Sequence, residues 1–255
     1  MDGGRNPGDH QGDRKKVKGL ISAVQFMTIL RLGKAGIFEP QRMVSFFPIV
    51  GIILGGLVAG FDHVAMRLWS GSVVSLLDVI FLVVITGAFH IDGLGDTADG
   101  LFGHRDSQVA LSIMKDSRIG VMGLVAVLCV LSMKWGGIMG LDANRSLWII
   151  ILPAYARGGM IFGIKFLKYG RDAGTGHALF GSRLKNTAFL GLIIPVGLSF
   201  FLGWKGICLN VVFALTIIGI LMYYKKRMGC ITGDMLGAMA EVTESVLFLM
   251  VSVGG

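Results

Sequence analysis

The sequence predicts an all-α protein, a polytopic integral membrane bundle of about seven spans, on three observations. The 255 residues are 53% hydrophobic before their 39 glycines are counted. Only 16% are charged, against roughly 25% in a soluble globular domain. Long uncharged runs recur, and about 20 apolar residues let a helix cross the hydrocarbon core. An ordinary soluble domain fits these figures poorly, and a disordered or collagen-like chain is excluded.

The elements follow in order. Residues 1–18 are polar and basic and are expected to be a flexible tail. They lack the apolar core of a signal peptide. The rest, 19–255, reads as a single transmembrane catalytic domain. Residues 20–32 are apolar but short, and whether they cross is left open. Residues 43–61, 186–204 and 206–224 are each uncharged for 19 positions. Three further runs carry one charge each: 71–91 with Asp78, 119–139 with Lys134, and 146–164 with Arg157. The last, 235–253, carries Glu241 and Glu244. Gly51 and Gly55, Gly56 and Gly60, and Gly159 and Gly163 are pairs four apart, a spacing that lets helix backbones approach closely in lipid.

The formal charge is +8, from 24 Lys and Arg against 16 Asp and Glu. With the N-terminus inside, the segments 1–42, 92–118, 165–185 and 225–234 hold 19 of the basic residues, and the outside loops only Arg67, Arg145 and Lys205. Cytoplasmic loops concentrate Lys and Arg in this way. The positive balance is therefore an orientation signal, and no nucleic-acid partner is expected. Cys129, Cys208 and Cys230 form no CxxC pair, so neither a disulfide framework nor a zinc knuckle is expected.

The scarce acids are concentrated. Asp92, Asp96, Asp99, Asp106 and Asp116 lie within 25 residues, and Asp234, Glu241 and Glu244 within 11. Acids at a membrane boundary or inside a span are functional candidates. Asp92, Asp96 and Asp99 stand at i, i+4 and i+7, on one face of a helix. Their repulsion is relieved by a cation, and hard oxygen ligands suit Mg²⁺, which keeps sites for water and substrate phosphates. His90 lies two residues earlier and is a candidate base or substrate contact. Taken singly, Asp92 also reads as a helix N-cap and Asp99-Gly100 as a turn.

Lys115 and Arg118 share a helix face before a span, as membrane anchors or as phosphate ligands. Arg157, mid-span, needs a partner, either an acid or a substrate phosphate. In the second cluster Thr232 is positioned to cap a helix. Asp234 and Glu241, seven apart, share one face of it. Both acidic clusters fall on the side read as cytoplasmic, so two distant loops can form one site. His10, His63 and His104 are weak signals. His177 sits in a glycine-rich loop with Arg171 and Asp172 that is a candidate ligand contact.

These residues resemble the cobalamin synthase family, the adenosylcobinamide-GDP ribazoletransferases. The carriers are His90-Ile-Asp-Gly-Leu-Gly-Asp-Thr-Ala-Asp-Gly100, Ile113-Met-Lys-Asp-Ser-Arg-Ile-Gly120, and Thr232-Gly-Asp-Met-Leu-Gly237 with Glu241 and Glu244. Phe26-Met-Thr, Phe47-Pro-Ile-Val-Gly51 and Arg157-Gly158 support them. The chain departs from the family at Arg31-Leu-Gly33, at Ala156, at Gly229-Cys-Ile and in the less acidic loop 170–180. The resemblance implies a Mg²⁺-dependent enzyme of the cell inner membrane, with its site facing the cytoplasm. It would join adenosylcobinamide-GDP to α-ribazole or its 5′-phosphate and release GMP. Asp92, Asp96, Asp99 and Asp234 would then hold Mg²⁺. Lys115, Arg118, Arg157, Thr232 and Glu241 would contact substrate, and His90, Asp92 or Asp96 would serve the hydroxyl. Another membrane phosphotransferase, of the CDP-alcohol type, is the nearer alternative, but Asp92-Gly93 is followed by Leu-Gly-Asp where that type has Ala-Arg. An ion transporter is the more distant one. Assembly into a homo-oligomer is compatible with this reading.

Overall fold

The computed structural model describes residues 7–33, 40–103, 105–141, 143–174, 176–181 and 184–254. His104, the side chain of His10 and residues 1–6 of the expected tail lie outside them. The described chain is almost wholly helical: α1 (Pro7–Met27), α2 (Pro40–Val44), α3 (Phe47–Ala65), α4 (Gly71–Ile85), α5 (Phe89–Leu101), α6 (Ser107–Ile113), α7 (Val121–Met139), α8 (Arg145–Phe166), α9 (Ile193–Ser199), α10 (Gly203–Arg227) and α11 (Gly233–Ser252). Residues 7–18, expected as part of a tail, form the first half of α1. That helix is not among the described helices apolar enough to cross a membrane.

Five described segments meet that test, or six if α4 and α5 count as one bent span. One of the five, Asn186–Arg227, is 42 residues long. It turns back on itself at Gly203, whose φ is +63°. The Asn210 amide donates to Ser199 Oγ at 2.8 Å, although eleven residues of straight helix would hold them roughly 16 Å apart. A count of seven is thus compatible with the fold.

Glycine sets the closest helix pair. A Cβ on Gly51 would stand 2.4 Å from Ala154 Cα, and one on Gly55 2.5 Å from the Ile149 carbonyl oxygen, so α3 lies directly on the backbone of α8. Gly159 and Gly163 likewise face Ile217 and Leu236, where a Cβ would meet side-chain carbons at 2.7 and 2.8 Å. Gly56 and Gly60 differ from the expectation of packing: a Cβ on either meets nothing within 4 Å. They sit on the outer side of α3, because a 3.6-residue repeat turns only part of a helix toward any one neighbour.

α8 is the most buried of the apolar helices. At one end of the bundle Arg145 bonds Asp62 at 2.7 Å, Asp78 at 3.1 Å and the Ile138 carbonyl at 2.5 Å, joining α3, α4, α7 and α8. This accounts for the aspartate inside the second predicted span. Lys205 lies at the same end, donating to the Val251 carbonyl at 3.2 Å. The loops read as cytoplasmic meet at the other end.

Candidate active site

A bend presents the acidic helix. α4 and α5 meet at 89°, because Gly87 and Ala88 adopt φ of +60° and +57°. The left-handed region is open to glycine but costs alanine about 1–2 kcal/mol. The tertiary structure holds the bend: the N–H of Ile29, just past α1, bonds the freed carbonyl of Ile85 at 2.9 Å. The span expected over 71–91 is therefore broken near residue 87.

α5 then lies against α7 and α11 through glycines. A Cβ on Gly93 would stand 2.8 Å from the Asp234 carbonyl oxygen, and one on Gly237 3.2 Å from His90 Cα. These contacts bring the two acidic motifs together. Asp92 is exposed, while Asp96 and Asp99 are half-buried. Asp96 feels the charges of Asp92, Asp234, Asp99 and Arg171.

Asp99 has a task that neither local reading anticipates. Its two oxygens accept the N–H groups of Gly120 and Gly123, at 2.6 and 2.8 Å. It thereby caps the start of α7, a helix whose own N-cap position, Gly120, has no side chain to do so. A Cβ on either glycine would stand 2.4 Å from that carboxylate. Asp92 is not the cap of α5, where Ala88 holds the N-cap position.

Arg171 is the cation that sequence reasoning placed only in a candidate loop. It pairs with Asp234 at 2.7 Å and bonds the Met114 carbonyl at 3.2 Å. A two-residue parallel ladder, Lys168 beside Cys230 and Tyr169 beside Ile231, ties the chain after α8 to the chain before α11. The Gly170 N–H extends it to the Ile231 carbonyl at 2.9 Å. Beside this pair opens a cavity of about 540 Å³, lined in part by Lys165, Lys168, Arg171, Asp172 and His177.

Thr232 caps α11 as expected, its Oγ1 accepting the Met235 N–H at 3.2 Å. Lys115 is exposed. Arg118 is exposed too and is held by the Asp116 carboxylate at 2.5 Å. That bond lowers the Asp116 carboxyl to about 2, so the pair stays ionised at neutral pH. Below the acids, Arg157 is fully buried against Glu244, so its partner is an acid of the second cluster. Lys134 completes the network, 2.6 Å from Glu241 and 3.2 Å from Glu244. Two cations thus balance two anions among α7, α8 and α11. Each would cost about 2.5–3.5 kcal/mol unpaired at a helix centre in the bilayer. His90 is 1% exposed, and neither ring nitrogen has a hydrogen-bond partner.

Among the described residues no three His, Cys, Asp or Glu side chains stand close enough to enclose a metal ion. The donors around Asp96 are carboxylate oxygens with an arginine beside them, which suits Mg²⁺ held by one or two carboxylates and completed by phosphates and water.

Fold and site together define a multi-pass helical membrane protein whose helices α5 and α11 and neighbouring loops bring carboxylates and guanidinium groups together at one end of the bundle. The family described as cobalamin-5-phosphate synthase matches residues 19–252. The adenosylcobinamide-GDP ribazoletransferase of Alkaliphilus metalliredigens is 35% identical over 92% of this chain and 96% of its own. Those of Desulforamulus reducens and Clostridioides difficile are 32% and 33% identical, each over 92% of this chain, and over 96% and 97% of their own. No solved structure matches. The chain belongs to the cobalamin-5-phosphate synthase family.

Proposed function

We propose that the protein joins adenosylcobinamide-GDP to α-ribazole or its 5′-phosphate at this site. A ribazole hydroxyl attacks the phosphorus next to cobinamide, the bridging P–O bond breaks, and GMP leaves. The products are adenosylcobalamin, or its 5′-phosphate, and GMP. The observation that carries this reading is the contact of Gly93 with Asp234, which sets the acids of α5 beside the start of α11. The family relationship supplies the substrates.

Phosphoryl transfer rests on positioning and charge neutralisation rather than covalent catalysis. One or two of the carboxylates Asp92, Asp96 and Asp234 would hold Mg²⁺, which would supply Lewis-acid neutralisation of the phosphates. The four-carboxylate set with Asp99 does not come together, since no three such side chains stand close enough among the described residues. Asp99, whose oxygens already accept two N–H groups, keeps α5 and α7 in register. Arg171 and the lysines of the neighbouring cavity offset phosphate charge. With His90 buried, the exposed Asp92 or half-buried Asp96 is the better placed acceptor of the hydroxyl proton. The site faces the cytoplasm of a cell inner membrane, a reading supported by the bias of basic residues.

The test is GMP release from washed membranes given adenosylcobinamide-GDP and α-ribazole, with and without Mg²⁺. Release that needs both substrates and the ion is expected. GMP release without the ribazole, or uptake without turnover, would overturn the assignment.

A further inference from the structure

A groove of about 920 Å³ opens on the other side of α5. It is lined by Leu94, Thr97, Ala98 and Leu101 of α5, and by residues of α10 and α11. At roughly 100° per residue these α5 positions lie opposite Asp92, Asp96 and Asp99, so the body of the helix separates the groove from the carboxylates. Its α10 wall includes Gly219 and Tyr223, both exposed on a helix apolar enough to span. The groove therefore opens sideways into the bilayer.

One rim is basic. Arg105 and Arg227 both line it. The Arg227 guanidinium is fixed there, donating to the carbonyls of Arg105 and Gly103 at 2.6 and 2.7 Å. Arg105 donates one bond, to the Asp99 carbonyl at 3.2 Å. Neither pairs with a carboxylate among the described residues. Lys225 and Lys226 precede Arg227 in the last turn of α10, and Asp106 is the one acid of the lining. Basic pockets between spans bind anionic lipid headgroups.

We propose that this groove is a binding site for an anionic phospholipid of the surrounding leaflet. Its phosphate rests on Arg105 and Arg227, and an acyl chain lies along Leu101 and Ile220. The bound lipid braces α5 against α10 from behind, the acids facing away from it. The site is independent of which substrates the carboxylates take.

The test uses the full chain in neutral detergent and follows its thermal unfolding midpoint. Phosphatidylglycerol should raise the midpoint saturably, by at least about 2 °C, and phosphatidylcholine with the same acyl chains should not. Gly219→Leu fills the groove without displacing α10, since a Cβ there meets nothing within 4 Å. It should keep the lipid-free midpoint and lose the phosphatidylglycerol effect. Arg105→Gln, at an exposed side chain, should raise the lipid concentration needed by about tenfold. Equal rises with both lipids, no rise in the wild type, or a full rise persisting in Gly219→Leu would each overturn the proposal. So would a rise with cobinamide that Gly219→Leu removes while the lipid effect stays, which would give the groove to substrate.

Discussion

Asp96 is the residue on which the charges of Asp92, Asp99, Asp234 and Arg171 all act. Asp96→Asn keeps its shape and removes one negative charge. GMP release should fall about 100-fold or more, with the variant still inserting in the membrane and unfolding at the wild-type temperature. Wild-type activity at limiting Mg²⁺ would remove Asp96 from the metal's ligands. Lys134 has a different role, because it faces Glu241 and Glu244 inside the bundle. Lys134→Met leaves two carboxylates to one guanidinium and should destabilise by about 3–5 kcal/mol. The double variant Lys134→Met, Glu241→Met restores charge balance and should recover most of the loss. Unfolding in detergent measures both. The two residues illustrate what was readable in advance. The spacing of Asp96 with its neighbours is local and lies open in the sequence. Lys134 showed only as a charge inside a span, because its partners are more than 100 residues away.

Single helices follow the same division. Where apolar runs begin and end was legible, since length and hydropathy belong to one segment at a time. Which glycines carry contacts was not, as α3 shows. Gly51→Leu would drive a side chain into the backbone of α8, where even a Cβ stands 2.4 Å from Ala154. Gly56→Leu, five residues on, would project into open space. The first should abolish accumulation of folded protein in membranes, and the second should leave both accumulation and turnover near wild type. Equal behaviour of the two would contradict the α3–α8 packing. The break between α4 and α5 is a second case. Gly87 permits it, but Ala88 also takes a left-handed conformation, which no local preference predicts. The Ile29 N–H and the seat of α5 on α7 and α11 hold it there.

At the scale of the whole molecule, the four segments rich in Lys and Arg should face one compartment. The structure gathers their contacts at one end, including Arg171 with Asp234 and Arg227 with the carbonyl of Arg105. Arg145 and Lys205 are at the other. Single cysteines at Asp172 and Lys226, in a variant lacking the three native cysteines, should be labelled by an impermeant thiol reagent only from the cytoplasmic side. A cysteine at Trp69 should be labelled only from outside. The reverse pattern would invert the topology and overturn the proposed cytoplasmic orientation of the site.

The sequence by itself determined that the chain is a helical membrane protein, which loops share a side, and that scarce acids mark two motifs. Each of these depends on composition, run length or spacing along one segment. The tertiary structure alone decided that Asp99 caps α7, that Arg171 reaches Asp234, that Arg157 takes Glu244, and that the chain turns between α4 and α5 at residue 87. Those outcomes depend on how one helix seats against another. A helical repeat specifies which face is apolar but not which distant face it will meet, and that register sets the partners of the buried charges.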